Sequence, residues 1–262
     1  MSEPILASPP KVFLAVLRRD LFVTGRDAPI FFAQVILQPL FLLFVFGRVL
    51  ADLGFTTGGY SELLFPGIVA FTAVLTALQS TSFPLVLEFS FTKEIEDRLL
   101  APMPTAWVAL EKIVYATLRA LVAAAVMFPI GVLVLGEIPW RASGVPLLTA
   151  VLVLGSFVGA AMGMVLGTFV PPNRMNVVFA LVLTPLLFTG CSQYPWPSLH
   201  HLRWFQVVTT LNPLTYVSEG MRAALAPGVG HMPVWVCLLM TVVFLVVLTA
   251  LSIVGFRRRA ID

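Results

Sequence analysis

Long apolar stretches broken by short charged segments organise this chain. Runs free of Asp, Glu, Lys and Arg cover Ala28–Gly47, Leu63–Leu87, Ala120–Gly136, Ala142–Asn173, Met175–Leu202 and Ala223–Phe256. An α-helix rises about 1.5 Å per residue, so roughly 20 apolar residues cross about 30 Å of hydrocarbon. The third run reaches that length when carried back past Arg119 to about Trp107. The pattern predicts an all-α membrane protein with six transmembrane helices. Barrel strands fit poorly, because these runs are continuously apolar and do not alternate.

The connections differ in character. Ala51–Gly59, carrying Gly54, Gly58 and Gly59, and Glu137–Ser143 read as short outer loops, and Pro171–Arg174 as a tight inner turn. Glu88–Thr105 is the longest charged cytoplasmic stretch. Cys191–Gly230 is too long for a turn, yet apolar and aromatic, with Pro195, Pro197, Pro213 and Pro227. It predicts short outer re-entrant helices before the last span, since irregular backbone at that depth must be covered by protein or face water. From Pro10 to Asp27, Val12, Phe13, Val16, Leu17 and Leu21 mix with Lys11, Arg18 and Arg19, which predicts an amphipathic helix on the inner leaflet; packing on protein is the alternative. Residues 1–27 thus form an N-terminal interfacial segment and 28–262 one membrane domain.

Composition agrees. Of 262 residues, 59% are hydrophobic and 11% charged, and the mean hydropathy is +0.97. Soluble domains carry about 25% charged residues, so a water-soluble globule is excluded for want of polar surface. Lys and Arg set the orientation. With both termini in the cytoplasm, Lys11, Arg18, Arg19, Arg26, Lys93, Arg98, Lys112, Arg174 and Arg257–Arg259 lie inside, and only Arg48, Arg141, Arg203 and Arg222 outside. The net charge of +3 is scattered between spans, where anionic headgroups account for it without nucleic acid.

Catalytic signatures are missing: there is no phosphate-cradling Gly-x-x-x-x-Gly-Lys-Ser/Thr, no His-Glu-x-x-His and no Gly-x-Ser-x-Gly. No catalytic, cofactor-binding or metal-binding residue is therefore assigned. His200 and His201 are adjacent and would diverge on a helix, with no acidic residue at ligand spacing. Cys191 and Cys237 read as small packed side chains, a disulfide being the alternative. Gly155, Gly159, Gly163 and Gly167 recur every fourth residue on one face, a smooth stripe for helix packing. Arg119, inside the third span, is costly there. It snorkels, pairs with Glu88 or Glu111, or faces a polar cavity. Glu62 opens the second span, and Glu219 and Arg222, three apart, face one another on a helix. These groups shape an outer gate, or more simply a local ion pair. In Lys93–Pro102, Glu94 and Arg98 have helix-pair spacing, Ile95, Leu99 and Leu100 form a stripe, and Glu96 and Asp97 add an acidic face. That pattern suits a short helix docking on a soluble partner; a solvated loop is the alternative.

Four segments resemble the permease subunits of type-2 ABC exporters, the family of daunorubicin-type drug efflux, polysaccharide and teichoic-acid permeases. They are Pro39–Gly47, Tyr60–Gly67, which resembles the family's Tyr-x-x-Phe-x-x-Pro-Gly entry to the second span, Glu94–Pro104 followed by Glu111-Lys112-Ile113, and Leu211-Asn212-Pro213-Leu214-Thr215-Tyr216 with Glu219 and Arg222. The third segment lacks the glycine and threonine often found there.

The resemblance implies a chain without a cofactor of its own. Two permeases, identical or related, would pair with separate nucleotide-binding subunits holding ATP and magnesium. Glu94, Ile95, Glu96, Asp97, Arg98, Leu99 and Leu100 would form the cytoplasmic coupling helix. Glu62, Asn212, Pro213, Tyr216, Glu219 and Arg222 would form the outer gate or re-entrant region. A hydrophobic or amphiphilic substrate would leave through a bacterial plasma membrane. The rivals are a stand-alone secondary transporter, disfavoured because most carboxylates lie near span ends, a membrane-embedded enzyme, and a non-transporting scaffold subunit.

Overall fold

The computed structural model describes residues 9–26, 28–55, 59–89 and 105–261. Its elements are α1 (Pro9–Arg26), α2 (Ala28–Phe44), α3 (Tyr60–Leu87), α4 (Thr105–Leu135), α5 (Val145–Phe169), α6 (Met175–Thr189), α7 (Arg203–Thr210), α8 (Pro213–Leu225) and α9 (Val234–Ile261). A π-helical turn, Val45–Val49, carries α2 on to Asp52. Among the described residues five helices are long and apolar enough to cross a membrane: Phe31–Asp52, Tyr60–Leu87, Ala106–Leu135, Ala142–Phe169 and Val234–Arg259.

Two predicted spans are divided. The run Met175–Leu202 is helical only to Thr189; a turn follows, then a 3-10 segment, Trp196–His201. The 15 residues of α6 reach about 22 Å, less than a usual hydrocarbon core. The run Ala223–Phe256 begins inside α8 and restarts as α9 at Val234. A search for charge-free runs did not mark these breaks, because the intervening segments carry no Asp, Glu, Lys or Arg.

α3 is the central helix. Nearly all of Leu64–Leu78 is buried, and its largest interface is with α5. The contact is close because α5 offers glycines: a Cβ on Gly159 or Gly163 would fall on the carbonyl oxygens of Val74 and Leu78. Gly155 faces Val217 of α8 instead, and Gly167 faces Leu85 and Ser82. Several threonine hydroxyls in the bundle bond back to their own helix: Thr72 and Thr81 donate to Ile68 and Ala77 carbonyls at 2.8 and 3.0 Å, and Thr117 to Ile113 at 2.8 Å.

α9 is pinned to α5 at two depths. Ser252 donates to the Ala161 carbonyl at 2.9 Å. Arg259 Nη1 donates to the Gly167 carbonyl at 2.7 Å and to those of Thr168 and Val170 at 3.3 Å, a cation closing the C-terminal end of α5. α1 lies along the start of α4, with Phe13 edge-on to Trp107 and the Thr24 and Tyr115 hydroxyls hydrogen-bonded. Its Leu14, Phe22 and Val23 side chains remain exposed.

Candidate functional site

The end of the bundle at the N-terminus of α3 gathers polar groups around α8. Its N-terminus is set by Asn212-Pro213: proline tolerates the first helical position, and the Asn212 side chain caps the helix by accepting from Leu214 N at 2.9 Å. The same amide donates to the Leu186 carbonyl at 3.1 Å and to Thr189 Oγ1 at 2.9 Å, joining α8 to the end of α6. Thr215 donates to the Thr209 carbonyl at 2.6 Å, and Tyr216 to the Thr210 carbonyl at 2.8 Å, which folds α7 back on α8.

One turn further along α8, Glu219 and Arg222 form an ion pair with no solvent exposure. Every arm of the pair is used. Arg222 Nη2 donates to the Cys191 carbonyl at 2.9 Å and Nε to the Leu63 carbonyl at 3.3 Å. Glu219 accepts from Trp196 N at 2.9 Å and Met232 N at 2.8 Å. The pair therefore ties together α3, the turn after α6, α8 and the approach to α9. A buried ion pair offsets its desolvation only when further hydrogen bonds support it, and here all three Arg222 nitrogens and both Glu219 oxygens are engaged.

The segments far apart in sequence thus meet. Tyr60 donates to the Gln193 carbonyl at 3.1 Å. Gly67 lies against the Ser192 backbone so closely that a Cβ would overlap its carbonyl, which explains a glycine in the Pro66-Gly67 pair. Glu62 stays exposed on the first turn of α3 and outside the cluster, although the carbonyl of its neighbour Leu63 takes part. Cys191 and Cys237 are free and buried. The His200 and His201 rings do not diverge: in the 3-10 turn their centroids lie 3.7 Å apart.

At the opposite end of α3, Glu88, just after the helix, forms a buried ion pair with Lys112 on the second turn of α4. Glu94, Ile95, Glu96, Asp97, Arg98, Leu99 and Leu100 lie outside the described residues. Neither partner suggested for Arg119 pairs with it: its guanidinium sits 4.3 Å above the Phe31 ring, and Nη1 donates to the Tyr115 hydroxyl at 3.4 Å. Sequence reading missed two contributors, Lys112 and Arg259. A Lys at a span boundary and an Arg in a terminal basic run were the available signals, and both also suit headgroup contact.

Relatives carry the same kind of description. A 219-residue stretch, 80% of this chain and 72% of the relative, is 28% identical to "Putative transport permease ycf38" of Cyanophora paradoxa. The protein of that name in Porphyra purpurea is 28% identical over 84% of this chain and 79% of its own length. Residues 11–226 match the family model described as ABC-2 type transporter. With its long apolar helices and this match, the multi-pass membrane chain belongs to the ABC-2 type transporter family.

Proposed function

We infer that the chain is the transmembrane permease subunit of an ATP-driven exporter that moves a hydrophobic or amphiphilic substrate (drug, lipid, glycolipid or polysaccharide) out of the cytoplasm. In this reading α6, short as it is, completes six crossings with the turn that follows it, and both termini lie in the cytoplasm of a bacterial cell. α1 lies on the inner leaflet, consistent with its exposed Leu14, Phe22 and Val23. ATP and magnesium belong to a nucleotide-binding partner, and a second permease chain, identical or related, completes the path. The polar cluster around Glu219 and Arg222 closes the outer end.

The observation that carries this reading is the Glu88–Lys112 pair. It clamps the end of α3 to the start of α4, so both ends of the intervening charged segment are held at one place. A push on that segment then reaches two long helices together, and α3 passes it to α5 through the glycine contact. Glu94 through Leu100 would be the lever that docks on the partner.

Charge reversal tests the lever. With Glu94→Lys, Glu96→Lys and Asp97→Lys together, transport in vesicles falls at least about tenfold. ATP hydrolysis by the purified complex and insertion in the membrane persist. Full transport by the triple variant overturns the docking role, and pumping by the isolated chain on an ion gradient alone overturns the exporter reading.

A further inference from the structure

α3, α2 and α4 enclose a half-open cavity of about 480 Å³, within the range of small-ligand pockets, about 300–1,000 Å³. Its wall is unexpectedly polar for an apolar bundle. Thr76, Gln79 and Ser80 line it from one face of α3, Phe31 from α2 and Arg119 from α4. Unlike Thr72 and Thr81, which bond back to their own helix, Thr76, Gln79 and Ser80 have no side-chain hydrogen-bond partner among the described residues. Arg119 Nε is buried without a partner, and no carboxylate among the described residues pairs with Arg119. Among the described residues its hydrogen bond is the long one to Tyr115, itself held by Thr24 of α1.

Depth sharpens the point. Arg119 follows the Glu88–Lys112 pair by two turns, about 10 Å deeper along α4. A permanent cation at that depth is expensive and seeks an anion. Beyond the stacked Phe31 and Arg119 lies a second, apolar cavity of about 210 Å³, lined by Leu21, Phe32, Leu118 and Val122. Phe31 and Arg119 belong to both. One compartment offers a cation with idle hydrogen-bonding groups; the adjoining one is lined mainly by hydrocarbon, with Thr24, whose hydroxyl is bonded to Tyr115, on its wall.

We propose that these joined cavities bind an anionic amphiphile, with its phosphate or carboxylate head on Arg119, Gln79 and Ser80 and its apolar chain against Leu118 and Val122. This rests on the exporter reading, for which it names the substrate class. The guanidinium fork matches a two-oxygen anion, and the site's place in the inner half of the bundle suits capture from the cytoplasmic leaflet.

The test is native mass spectrometry of the full chain, purified in detergent with any ATP-binding subunit that accompanies it, without nucleotide. Dioleoylphosphatidic acid and dioleoylphosphatidylcholine are titrated separately. The wild-type chain retains phosphatidic acid at least about tenfold more tightly, as a charge-assisted pair to a buried cation requires. Arg119→Gln abolishes the preference and Arg119→Lys keeps part of it. Gln79→Leu with Ser80→Ala, which leaves the cation in place, weakens it severalfold. Equal retention of the two lipids by the wild type, or a preference that survives in Arg119→Gln or is untouched by the Gln79/Ser80 double variant, overturns the site. Displacement of the lipid by millimolar inorganic phosphate overturns the amphiphile in favour of a free anion; resistance to it supports the lipid. An ATP-binding subunit that stays bound while the lipid preference is absent refutes this site alone, whereas its absence from the wild-type preparation bears on the exporter reading.

Discussion

Arg222 and Arg119 carry the same charge inside the same bundle and are treated in opposite ways. Arg222 is fully buried and spends its guanidinium on Glu219 and on the carbonyls of Cys191 and Leu63. Arg119 is offered an aromatic face and one long hydrogen bond, beside an open cavity. A buried charge engaged through every nitrogen, with its counter-ion beside it, holds segments together. A charge at depth with no carboxylate partner among the described residues is free to meet an anion. The first arginine therefore belongs to the architecture around α8, and the second to the recognition proposed above.

Removing Arg222 should break the comparison most violently. Arg222→Ala leaves Glu219 buried without its counter-ion, at a cost of about 3–5 kcal/mol. Folded yield in detergent and the thermal unfolding midpoint should both fall sharply. Arg222→Lys should rescue little, because an ammonium cannot fork to two carbonyls and a carboxylate.

Gly159→Leu and Gly163→Leu ask whether uncharged packing is as unforgiving. Each side chain would have to displace an α3 carbonyl, costing about 1–3 kcal/mol or more. Chromatographic yield of folded chain should drop in both; normal yield and transport in both would place the stripe against lipid instead of α3.

The smallest effect on the fold is expected from Arg119→Gln. Losing the cation–π contacts to Phe31 and Tyr115 and a long hydrogen bond should shift stability by about 1 kcal/mol. Its unfolding midpoint should stay near that of the wild type. A collapse like that of Arg222→Ala would make Arg119 another structural anchor and erase the distinction drawn here.

Much of the molecule was legible in its residues. Apolar runs located α2, α3, α4, α5 and α9, because a helix in hydrocarbon must be long and apolar whatever it packs against. Four glycines in phase marked the α5 face, since the helical period alone puts them side by side. Glu219 and Arg222 were readable as a pair from their spacing. Their partners were not, because Cys191, Leu63, Trp196 and Met232 contribute backbone atoms, and backbone atoms leave no trace in side-chain identity.

Residue order thus determined that this chain enters a membrane, which stretches are helical, and where charge is too costly to be casual. The prolines of Cys191–Gly230 already signalled short helices there, but tertiary structure alone decided where the long runs end, that α3 is the core of the bundle, and that among the described residues no carboxylate meets Arg119 as Glu219 meets Arg222. The physical reason is that hydropathy measures transfer out of water, which lipid and protein interior satisfy equally. Which of the two surrounds a residue, and which polar groups meet there, depends on neighbours brought from elsewhere in the chain.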